Sequence, residues 1–265
     1  MREKARSFSF LLLLVVSVAR GGVAQVSNTT PTANPAVIPV PRTEPWWVAR
    51  HADRLDKVKT GGYELLLVGD SITQNYEKTG PAPDEVFYPI WQEFFAPHKA
   101  LNLGYSGDQT QHVLWRLKHA EVDGLAPKDI VLLIGTNNTP DRPGGARAQS
   151  AEEVMAGVAA VVDELHSLLP AARILLVEIL PSAVSVEKSN KDTLVNSLLR
   201  LRYAGSGYVK TLDLGYLFVK DGALNQALFY DPRLKNARSP LHPDTIGQRK
   251  MAEAISGALF VDGTK

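Results

Sequence analysis

The sequence predicts an α/β protein built around a mostly parallel sheet of about five strands. Short, continuous apolar runs such as 65–68 and 130–134 are typical of strands that are buried on both faces. Amphipathic stretches separate these runs, and the longest, 151–169, places its valines and leucines at the spacing of one helical face. With 265 residues, 45% of them hydrophobic, the chain is long enough to bury one sizeable core.

The predicted elements alternate along most of the chain. Helices are predicted at 46–59, 84–95, 110–119, 151–169, 191–203 and 245–259. Strands are predicted at 64–68, 100–103, 130–134, 174–180 and 208–212. Because parallel strands need crossover connections, this alternation assigns all of these elements to one domain, residues 45–265.

Residues 1–24 have the pattern of a secretory signal peptide. Basic residues lie within the first six positions, an apolar run of about a dozen residues follows at 8–19, and small residues at 22–24 offer a cleavage site. The apolar run is short for a membrane span, so we expect export to a secreted or periplasmic location without stable membrane insertion; an uncleaved anchor is the alternative. Residues 25–44, rich in proline and threonine, are predicted to form an extended linker.

Charge and composition argue against several classes of partner. The formal net charge of +1 predicts no basic surface for nucleic acid. The chain contains no cysteine, which excludes disulfides and cysteine-based metal sites. It also has no glycine-rich phosphate loop, dinucleotide fingerprint or calcium-loop spacing. We therefore expect a protein that works without a cofactor or a metal.

Residues suited to acyl transfer follow the predicted strands. Ser71 comes just after the first strand, at the edge of a parallel sheet where ligands bind. A serine nucleophile needs a base to take its proton and hydrogen-bond donors for the developing oxyanion. His242, just before the last helix, can be the base. The backbone N–H groups of Ser71 and Gly104 and the side-chain amide of Asn137 can be the donors, and a glycine at 104 would let a substrate approach the backbone.

These residues resemble the sequence blocks of the SGNH hydrolases, also called GDSL-type esterases. The matching blocks are Gly69-Asp70-Ser71-Ile72, Asn102-Leu103-Gly104, Gly135-Thr136-Asn137-Asn138 and Leu241-His242-Pro243. The stretch 107–117 is similar to the branch that contains the platelet-activating-factor acetylhydrolase catalytic subunits. The resemblance implies a flavodoxin-like three-layer α/β/α sandwich, a serine nucleophile, a histidine base, and a glycine and an asparagine in the oxyanion hole.

One position departs from the family pattern. The family places an aspartate three residues before the histidine, and this chain has Ser239 there. Such an aspartate fixes the tautomer of the imidazole and stabilises the imidazolium. Asp231 can supply the carboxylate from the segment before an apparent insertion, or a backbone carbonyl can orient His242 in a Ser–His dyad. Asp244 lies nearby as the expected cap of the last helix, and an inactive site is the remaining alternative.

The combined expectation is an exported serine esterase that hydrolyses short-chain acyl esters, acetyl esters in particular. Its partner would be a small-molecule or polysaccharide acyl ester, with carbohydrate favoured by the predicted export. Two alternatives remain open at this point: a non-catalytic protein that binds a glycan in the same cleft, and a lipid acyl hydrolase.

Overall fold

A computed structural model describes residues 33–141, 147–231 and 240–260 of the chain. The predicted signal peptide, residues 25–32 of the predicted linker and Ser239 lie outside this described part. Within the described residues, no helix combines the length and the apolar character that a membrane crossing requires.

Five parallel strands form the central sheet in the order β2-β1-β3-β4-β5. The strands are β1 Leu65–Gly69, β2 Ala100–Gly104, β3 Asp129–Leu133, β4 Arg173–Val177 and β5 Val209–Leu212. This is the flavodoxin-like strand order, and it confirms the predicted fold class. Since the chain crosses from one side of β1 to the other between β2 and β3, the carboxyl ends of β1 and β3 mark the crevice where such sheets bind ligands.

In the described part of the chain, seven α-helices surround the sheet. They are α1 Pro45–Thr60, α2 Ser71–Gln74, α3 Tyr88–Phe94, α4 Thr110–Leu117, α5 Ala151–Leu168, α6 Val186–Tyr203 and α7 Thr245–Phe260. Side chains of β1 alternate between the two faces of the sheet: Leu66 and Val68 pack into the core under α4, α5 and α6, and Leu65 and Leu67 pack into the core under α3 and α7. The protein therefore has three layers with apolar contacts on both faces of the sheet.

Residues 34–44 differ from the predicted extended linker. Asn34 caps a 3-10 turn, Pro35–Val37, by accepting from the Ala36 N–H at 2.9 Å, and its amide donates to the Glu153 carbonyl at 3.0 Å. Ala36 is fully buried against Gly157 of α5, where a Cβ atom would come within 2.7 Å of the Ala36 Cβ. We call residues 34–44 the N-terminal strap. The composition of residues 34–44 predicted a linker. The place where the N-terminal strap packs is marked in the sequence by Gly157, a glycine inside α5.

Most of the other differences lie at the ends of elements, and the short helix α2 was not predicted. The helix predicted at 84–95 begins at Tyr88, because Pro89 in its first turn favours a helix start there, and a separate 3-10 turn covers Pro83–Glu85. Helix α6 begins five residues before the predicted start, because Ser185 caps it by accepting from the Lys188 N–H at 3.0 Å. A short hairpin that was not predicted, β6 Val219–Lys220 with β7 Ala223–Leu224, turns at Asp221-Gly222, where both residues have positive φ.

Candidate active site

Ser71 is the first residue of α2 and lies just beyond the carboxyl end of β1. Asp70 precedes it as the N-cap, and its carboxylate accepts the Ile72 N–H at 2.9 Å. This bond closes a tight strand-to-helix turn and presents the serine at the crevice between β1 and β3. The Ser71 N–H makes no hydrogen bond within the described part of the chain, which leaves it able to donate to a ligand.

Three side chains form a continuous hydrogen-bonded chain at this position. The Ser71 hydroxyl lies 2.8 Å from Nε2 of His242, and Nδ1 of the same imidazole lies 2.6 Å from a carboxylate oxygen of Asp231. All three residues are buried, at 4%, 7% and 3% exposure for the serine, the histidine and the aspartate. A carboxylate on one imidazole nitrogen and a hydroxyl on the other is the arrangement that lets histidine take a proton from serine.

A short backbone pairing holds the aspartate and the histidine together. Phe229 and Pro243 form an isolated antiparallel bridge, the Tyr230 N–H donates to the His242 carbonyl at 3.0 Å, and the Asp244 N–H donates to the Leu228 carbonyl at 2.8 Å. The two strands of this pairing flank residues 232–239 in the sequence. The carboxylate therefore reaches the imidazole from eleven residues away rather than from three.

Among the alternatives from the sequence, Asp231 is the residue that the structure places on the imidazole. Asp244 instead accepts the Gly247 N–H at 2.9 Å at the start of α7, as expected for a helix cap. Ser239 lies outside the described residues.

The structure argues against Gly104 as an oxyanion donor. Its N–H donates to the Asn102 side chain at 2.9 Å, and its carbonyl accepts from the Arg50 guanidinium at 2.8 Å. A Cβ atom at this position would lie 2.4 Å from the Gln74 nitrogen, so the glycine serves the packing of β2 against α2 rather than the approach of a substrate. The prediction that the Gly104 N–H is an oxyanion donor is corrected because this N–H is already engaged.

Gly107, which sequence reasoning missed, offers the unengaged donor instead. Its N–H makes no hydrogen bond within the described residues. The loop that carries it is bound to the turn of Ser71, because the Tyr105 N–H donates to the Gly69 carbonyl at 3.0 Å and the Ser106 N–H donates to the Gln74 side chain at 2.6 Å. The sequence held a signal in Tyr105-Ser106-Gly107-Asp108, where a second glycine follows Gly104 by three positions.

Asn137 lies in the loop after β3, beside the same segment. Its side-chain nitrogen donates to the Asp108 backbone carbonyl at 2.9 Å, and the backbone carbonyl of Asn137 accepts from the Gln109 side chain at 2.8 Å. An amide nitrogen has two hydrogens, and this contact uses one of them. The second hydrogen makes no hydrogen bond within the described residues, so it is available to a ligand beside the loop that carries Gly107 and Asp108.

A buried lysine supports the Asn137 loop from below. Lys188 of α6 donates to Asp192 at 2.6 Å and to the hydroxyls of Thr136 and Thr139 at 3.0 and 3.1 Å. Burial lowers the pKa of Lys188 and raises the pKa of Asp192, because each charge is removed from water and the ion pair offsets only part of that cost. The pair fixes the loop through its two threonines.

A second buried ion cluster lies behind the loop of Gly107. Arg116 of α4 contacts Asp108 at 3.0 Å and also contacts Glu121, and none of the three side chains is exposed. Burial raises the pKa of Asp108, which the Trp47 indole N–H also contacts at 2.8 Å. A buried carboxylate without its cation is costly, so this cluster makes the loop depend on Arg116.

Replacing Arg116 by methionine is expected to lower the free energy of unfolding by about 3–5 kcal/mol at neutral pH, because the buried carboxylates of Asp108 and Glu121 lose the cation nearest to them. Urea denaturation of the wild type and the variant measures this loss. Arg249→Met is the matched control, since Arg249 pairs with Glu93 on the exposed surface and should change stability little. An equal, small effect of both substitutions would contradict the prediction.

Two sequence comparisons each match more than half of the chain. The model of the GDSL-like lipase/acylhydrolase family matches residues 67–250. The platelet-activating factor acetylhydrolase IB subunit alpha2 of Rattus norvegicus is 35% identical over 202 residues, which cover 73% of this chain and 80% of that protein.

Solved structures share the fold at lower identity. A GDSL-like lipase from Bacteroides thetaiotaomicron superposes with a TM-score of 0.57 at 17% identity, covering 79% of this chain and 97% of that one. A carbohydrate acetylesterase from Sinorhizobium meliloti superposes with a TM-score of 0.55 at 14% identity, covering 76% and 99%. The match to the family model and the extent of identity to the rat subunit show that the chain belongs to the GDSL-like lipase/acylhydrolase, or SGNH, family and is a carboxylic ester hydrolase.

Proposed function

We propose that this protein is an exported serine esterase that removes short acyl groups, acetyl in particular, from carbohydrate esters. The observation that carries the proposal is the hydrogen-bonded chain from the Ser71 hydroxyl through His242 to Asp231, with heavy-atom distances of 2.8 and 2.6 Å. A protein that only bound a glycan would have no need of a buried carboxylate aligned behind a buried imidazole. The glycan-binding alternative is therefore disfavoured.

The reaction begins with attack of the Ser71 hydroxyl oxygen on the ester carbonyl. Nε2 of His242 takes the hydroxyl proton, while Nδ1–H donates to Asp231 and keeps the imidazole in the tautomer that accepts at Nε2. The Asp231 carboxylate stabilises the imidazolium that results.

Three donors converge on the oxyanion of the tetrahedral intermediate. They are the N–H groups of Ser71 and Gly107 and the second hydrogen of the Asn137 amide. When the intermediate collapses, the imidazolium gives its proton to the leaving alcohol and the acyl group remains on the serine oxygen. Water, activated by the same imidazole, then attacks the acyl-enzyme, and the carboxylic acid departs as the serine regains its proton.

Two lines of argument support an acetyl ester on a carbohydrate. The rat relative is named an acetylhydrolase and the Sinorhizobium meliloti neighbour a carbohydrate acetylesterase, so acetyl transfer to water recurs among proteins of this fold. The signal-peptide pattern of residues 1–24 supports export, and acetylated polysaccharides occur outside the cytoplasm. The name of the rat relative favours a second candidate, an acetylated lipid.

A panel of esters separates these substrates. We expect the full chain to hydrolyse an aryl acetate, with kcat/KM lower for the butyrate and lower again for the octanoate. An acetylated xylo-oligosaccharide should be deacetylated faster than a phospholipid with an acetyl group at its second position. A hydrolase of acetylated lipid would instead deacetylate the phospholipid faster, with the same preference for the aryl acetate. A hydrolase of long-chain lipid esters would favour the octanoate, because each methylene buried in a fitted pocket adds about 0.8 kcal/mol. Absence of turnover on every ester would favour the glycan-binding alternative.

A further inference from the structure

We propose that Arg42 is a positioning residue that fixes the peptide between Ser106 and Gly107, so that the Gly107 N–H is aimed at the oxyanion. The inference rests on the proposed esterase function. It adds to that function a residue from the N-terminal strap, which lies outside the residues 67–250 that match the family model.

The Arg42 guanidinium contacts the loop that carries Gly107 and also two side chains that follow it closely in the sequence. Nη1 donates to the Ser106 carbonyl at 2.7 Å and lies 3.3 Å from a carboxylate oxygen of Asp108. Glu44 contacts the same guanidinium through Nε at 3.1 Å and through Nη2 at 2.5 Å, and the Trp46 ring lies 5.2 Å from its carbon. The side chain is only 15% exposed, so the guanidinium is held from several directions.

The contact acts on Gly107 through the geometry of the peptide unit. The Ser106 carbonyl and the Gly107 N–H belong to one planar trans peptide, in which the two groups point in opposite directions. A cation that binds the carbonyl therefore sets the direction of the N–H. It also draws electron density toward the oxygen, which strengthens the N–H as a donor.

Gly107 is the residue that this arrangement requires. Its φ is +79°, a left-handed conformation that glycine adopts without strain. A Cβ atom at this position would lie 3.1 Å from Nη1 of Arg42, so a side chain would crowd the guanidinium. The backbone conformation and the close approach of Arg42 therefore both favour glycine at position 107.

Neutralising Asp108 does not by itself account for Arg42. Asp108 already contacts Arg116 at 3.0 Å and the Trp47 indole N–H at 2.8 Å, and both contacts are shorter than its contact with Arg42. The pair with Glu44 is partly exposed, and such pairs contribute little to stability. The shortest contact of Arg42 with the rest of the domain is the one to the Ser106 carbonyl.

The strap that carries Arg42 is bound along its length. Its Val40 N–H donates to the Gln111 carbonyl at 3.2 Å, and its Ala36 carbonyl accepts from the Thr110 hydroxyl at 2.8 Å. The guanidinium is therefore delivered to the loop by a segment anchored on α4, rather than by a free arm.

Kinetics of three variants of the full chain test the proposal on an aryl acetate. We expect Arg42→Gln to lower kcat about 10- to 100-fold with KM nearly unchanged, because the contact matters when charge develops on the oxyanion. Arg42→Lys should recover part of the lost kcat, since an ammonium can donate to the Ser106 carbonyl. Asn34→Ala is the control: it loosens the other end of the strap and should lower the melting temperature while kcat stays within about twofold of the wild type.

A second readout does not depend on turnover. The sequence contains three Ser–Gly pairs, at 106–107, 206–207 and 256–257, so labelling serine carbonyls with 13C and glycine nitrogens with 15N selects three amides. Loss of a charged hydrogen bond at the Ser106 carbonyl should move the Gly107 signal to lower 15N frequency in Arg42→Gln. The signals of Gly207 and Gly257 should stay in place.

The outcomes separate this inference from the proposed function. A wild type without esterase activity overturns the proposed function, and this inference with it. An active wild type with a kcat that Arg42→Gln leaves unchanged, or lowers no more than Asn34→Ala does, overturns the role of Arg42 alone. A Gly107 signal that does not move in Arg42→Gln also overturns it.

Discussion

Replacing Ser71 by alanine is expected to reduce ester hydrolysis to the background rate, a loss of about 10⁶-fold in kcat. The substitution removes the oxygen that forms the acyl-enzyme, and no other group at the site can take its place. The free energy of unfolding should change little, because the substitution removes only the hydroxyl's contact with His242. The backbone N–H of residue 71 and the Asp70 cap remain. Turnover of an aryl acetate, measured beside the melting temperature, checks both expectations.

Ser197→Ala is the matched control for this variant. Ser197 lies on α6 and its hydroxyl donates to the Thr193 carbonyl within the same helix at 2.9 Å. Its loss should leave turnover at the wild-type rate. Full activity in Ser71→Ala would show that the nucleophile lies elsewhere.

Replacing Asp231 by asparagine is expected to lower kcat about 10⁴-fold with the fold retained. Asparagine preserves the size of the side chain but removes the negative charge that stabilises the imidazolium. Its amide nitrogen can also donate to Nδ1 and so favour the wrong tautomer of His242. A pre-steady-state measurement of acylation shows whether the loss lies in the attack on the ester.

Asp244→Asn distinguishes between the two aspartates that flank the histidine in sequence. Asparagine is a good N-cap, so this variant should keep the start of α7 and retain activity close to the wild type. A large loss in Asp244→Asn with little change in Asp231→Asn would reverse the assignment of the acid. A small effect of both would favour a Ser–His dyad.

The fold was predictable because most of the core strands are short apolar runs separated by amphipathic stretches. In the described residues, the five strands of the central sheet and six of the seven α-helices lie at predicted positions, since burial on both faces of a parallel sheet leaves a signal in the sequence. The N-terminal strap was not predictable in this way. Its proline-rich composition is typical of a linker, and its anchoring depends on tertiary contacts with α4 and α5 that have no local pattern.

The site was predictable to the extent that its residues follow strand ends. Ser71 and Asn137 lie where the order of strands predicts, and His242 lies just before the last helix, as predicted. The choice among acids was not decidable from spacing, because the pairing of Tyr230 with His242 joins segments that flank residues 232–239. The choice between the two glycines of the loop after β2 likewise depends on which N–H is already engaged, and this becomes visible only in three dimensions.

Covalent labelling with an aryl phosphate ester tests whether Ser71 is an activated nucleophile, because phosphorylation requires the nucleophile, the base and the oxyanion donors together. We expect a nitrophenyl dialkyl phosphate to release one nitrophenolate per chain and to leave its dialkyl phosphoryl group on Ser71, where peptide mass spectrometry detects it. Labelling of Asp231→Asn should be much slower. A folded wild type that is not labelled, or equal labelling of Ser71→Ala, would rule out Ser71 as the activated nucleophile.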